Sequence, residues 1–329
     1  MSDLERRGPR KRLRGQIIRS GTHGEYTITR EAVEGMLEQL QDSPKPVNLE
    51  HDPTIPPVGR VLGGALVDLP DGEVALETEM EIFDGTIPAV LHPAQLLDEK
   101  LSELTPVSVE EGVLELTTDA RSYKHGDIEA LQQLAGEVGE VKAFDGAVRF
   151  SVLPDALLVL ALGMPSAAAA WFMKGFFTKA GEEVGKEVGA DLAGIYKRFK
   201  ESLVEMVGQR RQPSDRPPIT MFSLHLERPD GGKVEVEGST RAEGKGLEAF
   251  LDAGAELLPI AEAYLRIAPD SNRLAKMHFA FSDDAWIYRY GLDDDAEPVM
   301  IVVLSESAFA DALEKARSGE LGEDAPGVV

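Results

Sequence analysis

Of the residues able to carry chemistry, His51 has the most telling surroundings. It ends the run Pro46-Val47-Asn48-Leu49-Glu50-His51-Asp52, in which Val47 and Leu49 alternate with polar residues as in a half-buried strand. Prolines at 53, 56 and 57 then force an extended loop before Gly59 reopens a strand. A histidine at a strand mouth, its loop stiffened by proline, is positioned before any ligand arrives, and general bases are mounted in this way. The other histidines offer less. His23, His92 and His125 are scattered among loops without spaced carboxylate partners, so no metal site is expected. His225 and His278 stand in alternating strand patterns, where a packed or edge histidine is expected. The chain has no cysteine, which removes disulfides, thiolate metal sites and a cysteine nucleophile, and fits a reducing, cytoplasmic setting.

Composition narrows the classes. With 329 residues, 43% of them hydrophobic and 28% charged, the chain is globular and long enough for two domains. Its formal net charge of -24 argues against a nucleic-acid-binding body, because phosphate contacts need clustered Lys and Arg. Basic residues gather only at the start, at Arg6, Arg7, Arg10, Lys11, Arg12 and Arg14. Residues 1–14 are expected to be a flexible basic tail, the one stretch where nucleic acid could touch. No apolar region follows these charges, so no signal peptide is expected.

The elements that must hold His51 can be read in order. Residues 15–28 read as a strand with a turn at Gly21–Gly24, and a helix follows, capped by Thr29, with Ala32, Val33, Met36, Leu37 and Leu40 at helical spacing. Strands are expected at 47–51, 58–69 and 73–83, the last two joined through Pro70-Asp71-Gly72. A short helix near 96–101, a strand over 104–116, a loop and short helix within 119–146, and an apolar strand over 148–162 come next.

From Ser166 the texture changes to one long helix reaching about Val207. Gly181, Gly185, Gly189 and Ala193 recur every fourth residue along it. Each glycine costs a helix about 1 kcal/mol relative to alanine, so such a stripe implies close packing against another helix and self-association through 166–208. The uncharged run 156–173 reaches the lower length for crossing a bilayer, but Pro165 interrupts it and 174–200 is heavily charged, so membrane contact is not the favoured reading. A linker at 209–218 leads to an α+β domain at 219–318, read as a binding or sensor unit. Its pieces are a hairpin around Pro229–Gly232, a helix at 247–265, strands at 275–281, 285–290 and 298–304, and a helix at 306–317 before an acidic tail.

Over residues 15–170 the chain resembles the capsid-maturation (prohead) proteases of tailed phages, in particular the Mu-like branch. Gly21-Thr22-His23 with Glu25–Thr29 is similar to the family's opening. Pro46–Asp52 with Val58-Gly59-Arg60-Val61 resembles its histidine motif, Val107-Ser108-Val109-Glu110 its nucleophile motif, and Leu157–Leu162 with Met164-Pro165-Ser166-Ala167 its ending. The resemblance implies an N-terminal, mostly antiparallel barrel of herpesvirus-protease type within an overall α+β chain. It also implies a serine endopeptidase that needs no cofactor, acts on protein or peptide substrates, and uses His51 as general base and Ser108 as nucleophile. A third group should orient the imidazole. The closing strand departs from the family pattern, with Leu158 where an acid is expected, which leaves Asp155 as the nearest acid and Glu110 as an outside candidate. The alternative is a non-catalytic, protease-like assembly or membrane-associated protein whose C-terminal domain binds a partner.

Overall fold

The structure is a computed structural model that describes residues 11–23, 26–42, 44–48, 54–83, 113–118, 123, 125–136, 140–144, 157–162, 190–210, 217–228, 232–267, 271–299 and 314. Within them the chain is mixed α+β, with open sheets of four, eight and two strands, none closed into a barrel.

The four-stranded sheet has the order β1-β6-β5-β4, all antiparallel, with β1 Lys11–Arg19, β4 Lys45–Val47, β5 Gly59–Asp68 and β6 Val74–Ile82. The expected 70–72 turn joins β5 to β6: Gly72 takes φ 84°, Gly72 N–H donates to Leu69 O at 3.0 Å, and the Asp71 carboxylate accepts from Glu73 N–H at 3.2 Å. Helix α1, Arg30–Asp42, packs on this sheet. Thr29 caps it as expected, its hydroxyl accepting from Ala32 N–H at 3.2 Å. Val33 is fully buried against Ile18, Val74 and Leu76, and Met36, Leu37 and Leu40 pack around that core. Between β1 and α1 lies a small hairpin of β2 Gly21–His23 and β3 Tyr26–Ile28. Strand β1 begins at Lys11, inside the expected flexible tail, where its backbone pairs with β6, Lys11 opposite Ile82, and Arg12 and Arg14 also ion-pair with Glu79 at 3.1 and 3.3 Å.

The eight-stranded sheet has the order β14-β13-β12-β11-β10-β9-β7-β8. Its strands are β7 Val113–Thr118, β8 Glu140–Phe144, β9 Leu157–Leu162, β10 Ile219–Glu227, β11 Lys233–Thr240, β12 Lys276–Ser282, β13 Ala285–Leu292 and β14 Pro298–Val299. The division expected at the 209–218 linker does not separate these strands. Strand β9 runs parallel to β10, Leu157 opposite Ile219 and Leu162 opposite Leu224, so residues before and after the linker share one sheet. The physical reason lies in β9 itself: Leu-Leu-Val-Leu-Ala-Leu has no polar face, and such a strand is stable in a sheet interior, here between β10 and β7.

Helices α2 His125–Gly136, α3 Ala190–Gly208, α4 Lys245–Asp252 and α5 Gly254–Ile267, with a 3-10 turn at Ser271–Arg273, complete the described elements. Of the long helix expected over 166–207, the described part is Ala190–Gly208; Gly181, Gly185 and Gly189 lie outside the described residues. The single helix expected at 247–265 is broken at Ala253, whose carbonyl accepts from the Trp286 indole at 2.9 Å. One face of the large sheet presents Phe222, Leu224, Val234, Val236, Met277, Phe279 and Trp286 to a continuous core with Leu247, Phe250, Leu257 and Tyr264. Phe222 stacks on Phe250 with centroids 4.4 Å apart, and Trp286 lies 5.5 Å from Phe250.

Gly238 sits in this core with no room for a side chain. A Cβ there would stand 2.7 Å from Leu257 Cδ2, 2.7 Å from Phe222 Cε2 and 2.8 Å from Trp286 Cη2. Two of these neighbours are rigid rings, so Gly238→Ala should lower stability by about 1–3 kcal/mol through overpacking. Urea denaturation checks this; an unchanged midpoint would contradict it.

Candidate functional site

His51, Ser108 and Asp155, with Glu110, lie outside the described residues. What is described is the frame around His51. Val47 pairs with Gly59 across β4 and β5, Val58 N–H donates to Val47 O at 2.8 Å, and Phe83 N–H donates to Val58 O at 2.9 Å. Val47 and Gly59, on either side of the stretch that carries His51, are therefore held side by side as a closed neck. Pro57 is buried at its end. At Gly59 a Cβ would meet Glu81 O at 2.4 Å, so the close approach of β5 and β6 requires glycine at the first residue after the neck.

A second group of polar side chains lies on the other face of the large sheet. Strands β10 and β11 are antiparallel and β11 and β12 parallel, which aligns Ser223, Glu237, His278 and Tyr290 in one row across β10 to β13. Alternation does the placing: Val234 and Val236 face the helices, so Glu235, Glu237 and Ser239 face away. His278 is fully buried and stacks on Tyr290, ring centroids 4.9 Å apart and planes 3° from parallel. His225, one row along on β10, is exposed.

Contacts within this row are short. Glu237 Oε2 lies 3.1 Å from His278 Nδ1, and Ser239 Oγ lies 2.9 Å from His278 Nε2. The Lys276 ammonium reaches Glu237 Oε1 at 2.7 Å and Glu235 Oε2 at 3.2 Å, and the Ser223 hydroxyl donates to Glu235 Oε1 at 2.7 Å. Burial by itself would push the Glu237 carboxyl up; the Lys276 charge and the His278 contact outweigh it and hold the group at about 2. Burial would likewise lower the Lys276 ammonium, and Glu237 and then Glu235 more than offset it, leaving it above its ordinary value. An ionised Glu237 can only accept, so His278 Nδ1–H donates to it.

Serine, imidazole and carboxylate in this order is the arrangement of an acyl-transfer triad, yet the setting cannot do that chemistry. Ser239 is 1% exposed and His278 0%, so no carbonyl can approach. Strand β11 is also paired on both sides, Ser239 opposite Met221 and Ala280, which places it inside the ladder, where backbone N–H groups are committed to neighbouring strands. The polar contacts form a largely buried ion network that joins β10, β11 and β12, with Tyr290 of β13 stacked on its imidazole. The alternation of residues 233–240 shows that Glu235, Glu237 and Ser239 share a face, but only the register across strands brings His278 between them.

Among the described residues no group of His, Asp and Glu is arranged to hold a metal ion, and no helix is long and apolar enough to cross a membrane. Compared with known proteins, the chain matches no family model, no curated protein and no solved structure.

Proposed function

We propose that the chain is a serine endopeptidase of the prohead-protease type, in which His51 activates Ser108 for attack on a peptide bond. The observation that carries the reading is the closed neck between Val47 and Gly59, joined by the Val58 N–H to Val47 O bond, which fixes both ends of the proline-rich segment bearing His51. The motifs around His51, Ser108 and the 157–167 ending also follow one another in the family's order. In this reading the N-terminal region is related to the herpesvirus-protease type, and its described antiparallel β4-β5-β6-β1 sheet is open rather than closed into a barrel.

The chemistry is acyl transfer. The Ser108 hydroxyl adds to the peptide carbonyl while His51 takes its proton; His51 then returns a proton to the leaving amine, and water releases the acyl group by the same steps. Asp155 would orient the imidazole. The Arg210–Pro218 linker of the chain itself is a candidate substrate, and a reducing, cytoplasmic setting suits a chain without cysteine. A fluorophosphonate probe tests the reading, because it reacts with an activated serine and not with an ordinary hydroxyl.

One observation favours the non-catalytic alternative. Among the described strands β1 is an edge, and it carries Leu13 and Ile17 exposed at 38% and 41%, which suits association with another chain. Absence of an activated serine would leave assembly as the better reading.

A further inference from the structure

The Arg60 side chain connects the two large sheets at the neck of the His51 segment. It is the second residue of β5, two beyond Val58, and it is 12% exposed. Its Nε donates to Glu81 Oε2 at 3.0 Å and its Nη2 lies 2.9 Å from the same oxygen; Glu81 stands directly opposite it on β6. The far side of the guanidinium belongs to the C-terminal region. Nη2 is 2.9 Å from Glu297 Oε1, and Nη1 donates to the Asp295 carbonyl at 2.8 Å.

The turn that supplies these acceptors is itself built tightly. Asp293 Oδ1 accepts from Asp295 N–H at 3.1 Å and from Glu297 N–H at 2.8 Å, and Arg273 donates to Asp293 Oδ2 at 3.0 Å. Asp293 N–H donates to Glu297 O at 2.9 Å, Ala296 N–H donates to Asp293 O at 3.0 Å, and Ala296 takes φ 56°. The carbonyl of Asp295 and the carboxylate of Glu297 are thus held ready for a planar, forked donor. Glu81 and Glu297 are only 6% and 13% exposed, so the contact is shielded from water and from salt.

We infer that Arg60 is a positioning residue through which the 293–297 turn of the C-terminal region holds the neck of the His51 segment. This rests on the reading of His51 as general base. Val58 is bonded both to Val47 and to Phe83, and Arg60 follows it on the same strand, so the start of β5 has fixed partners on β4, β6 and the C-terminal turn together. In that reading the 293–297 turn, through Arg60, sets how firmly the neck below the base is held. A change at Glu297, far from the site in sequence, reaches the site through this contact.

The experiment is hydrogen exchange by mass spectrometry on the full-length chain, with fluorophosphonate labelling rates measured in parallel. Wild type is compared with Glu297→Ala, Glu297→Gln and Arg60→Lys. Loss of the Glu297 carboxylate should raise exchange in peptides spanning 54–60 by about tenfold while β12 and β13 keep their protection, and should slow labelling with it. Glu297→Gln retains an acceptor and should recover part of both; a lysine cannot satisfy both sides at once and should behave like Glu297→Ala. Unchanged exchange over 54–60 in Glu297→Ala would overturn the inference, as would slower labelling without any change there. Should Glu297→Ala lose protection throughout, Glu297→Gln and Arg60→Lys decide by the same criteria. Raised local exchange in a protein whose wild type is not labelled at all would uphold the coupling and sink the peptidase reading instead.

Discussion

Replacing Ser108 with alanine should abolish fluorophosphonate labelling of the intact chain, and His51→Ala should slow it by at least about a thousandfold. Members of a nucleophile–base pair act as one unit, so losing either costs nearly as much as losing both. The probe forms a bond to Ser108 Oγ only as the proton leaves, and without an imidazole in reach the hydroxyl is no better than any other serine. Asp155→Asn should slow labelling less than His51→Ala, because an orienting acid holds the base in place and does not itself bond to the reacting atoms. Ser239→Ala supplies the control. That hydroxyl also faces an imidazole backed by a carboxylate, but it is 1% exposed, so its removal should leave the labelling rate unchanged. Loss of labelling in Ser239→Ala with Ser108→Ala unaffected would move the chemistry to the wrong end of the chain and contradict the proposed roles.

The largest stability effect is expected at Glu237. Its carboxylate faces both the fully buried His278 ring and the Lys276 ammonium. Glu237→Ala would leave Lys276 with Glu235 alone at 3.2 Å and His278 Nδ1–H without an acceptor. Breaking one partner out of a buried charged network costs about 3–5 kcal/mol, and urea denaturation at neutral pH should show a loss of about 3 kcal/mol or more. The pH dependence has a definite sign. Glu237 is held at about 2 against an ordinary 4.5, so its contribution is fully present above pH 4.5 and disappears as pH falls towards 2. At about 1.4 kcal/mol per pH unit, that shift is worth about 3 kcal/mol. In Glu237→Gln this part of the acid sensitivity should be missing, and stability should vary less between pH 5 and pH 2 than in wild type. Equal acid sensitivity in the two proteins would mean that the carboxylate is not held by the network.

How much could be read from the residues depended on whether the cause was local. Thr29 as a cap, Pro70-Asp71-Gly72 as a tight turn and the amphipathic run from Val33 to Leu40 each rest on chemistry within a few positions, and the structure has all three. The break at Ala253 was only partly legible: Gly254 and Pro259 are local signals for it, whereas the Trp286 indole that donates to the Ala253 carbonyl beside Glu256 N–H comes from 33 residues away. Nor was the joining of β9 to β10: an all-apolar strand demands an interior place, but nothing in Leu157–Leu162 says which strand will flank it. The buried row was half legible. Alternation in residues 233–240 assigns Glu235, Glu237 and Ser239 to one face, whereas their meeting with Lys276 and His278 depends on a parallel register set by packing on the opposite side. The contact of Arg60 with Asp295 and Glu297 bridges 235 residues for the first of them and has no sequence signal at all.

The most direct test of the central claim is to locate the adduct. Purified full-length protein would be treated with a fluorophosphonate probe, digested, and the modified residue identified by tandem mass spectrometry. A single modification on Ser108, absent after His51→Ala, is the predicted result. An adduct on another serine, or none under conditions that label a known serine peptidase to completion, would contradict the endopeptidase reading and leave association as the function to pursue.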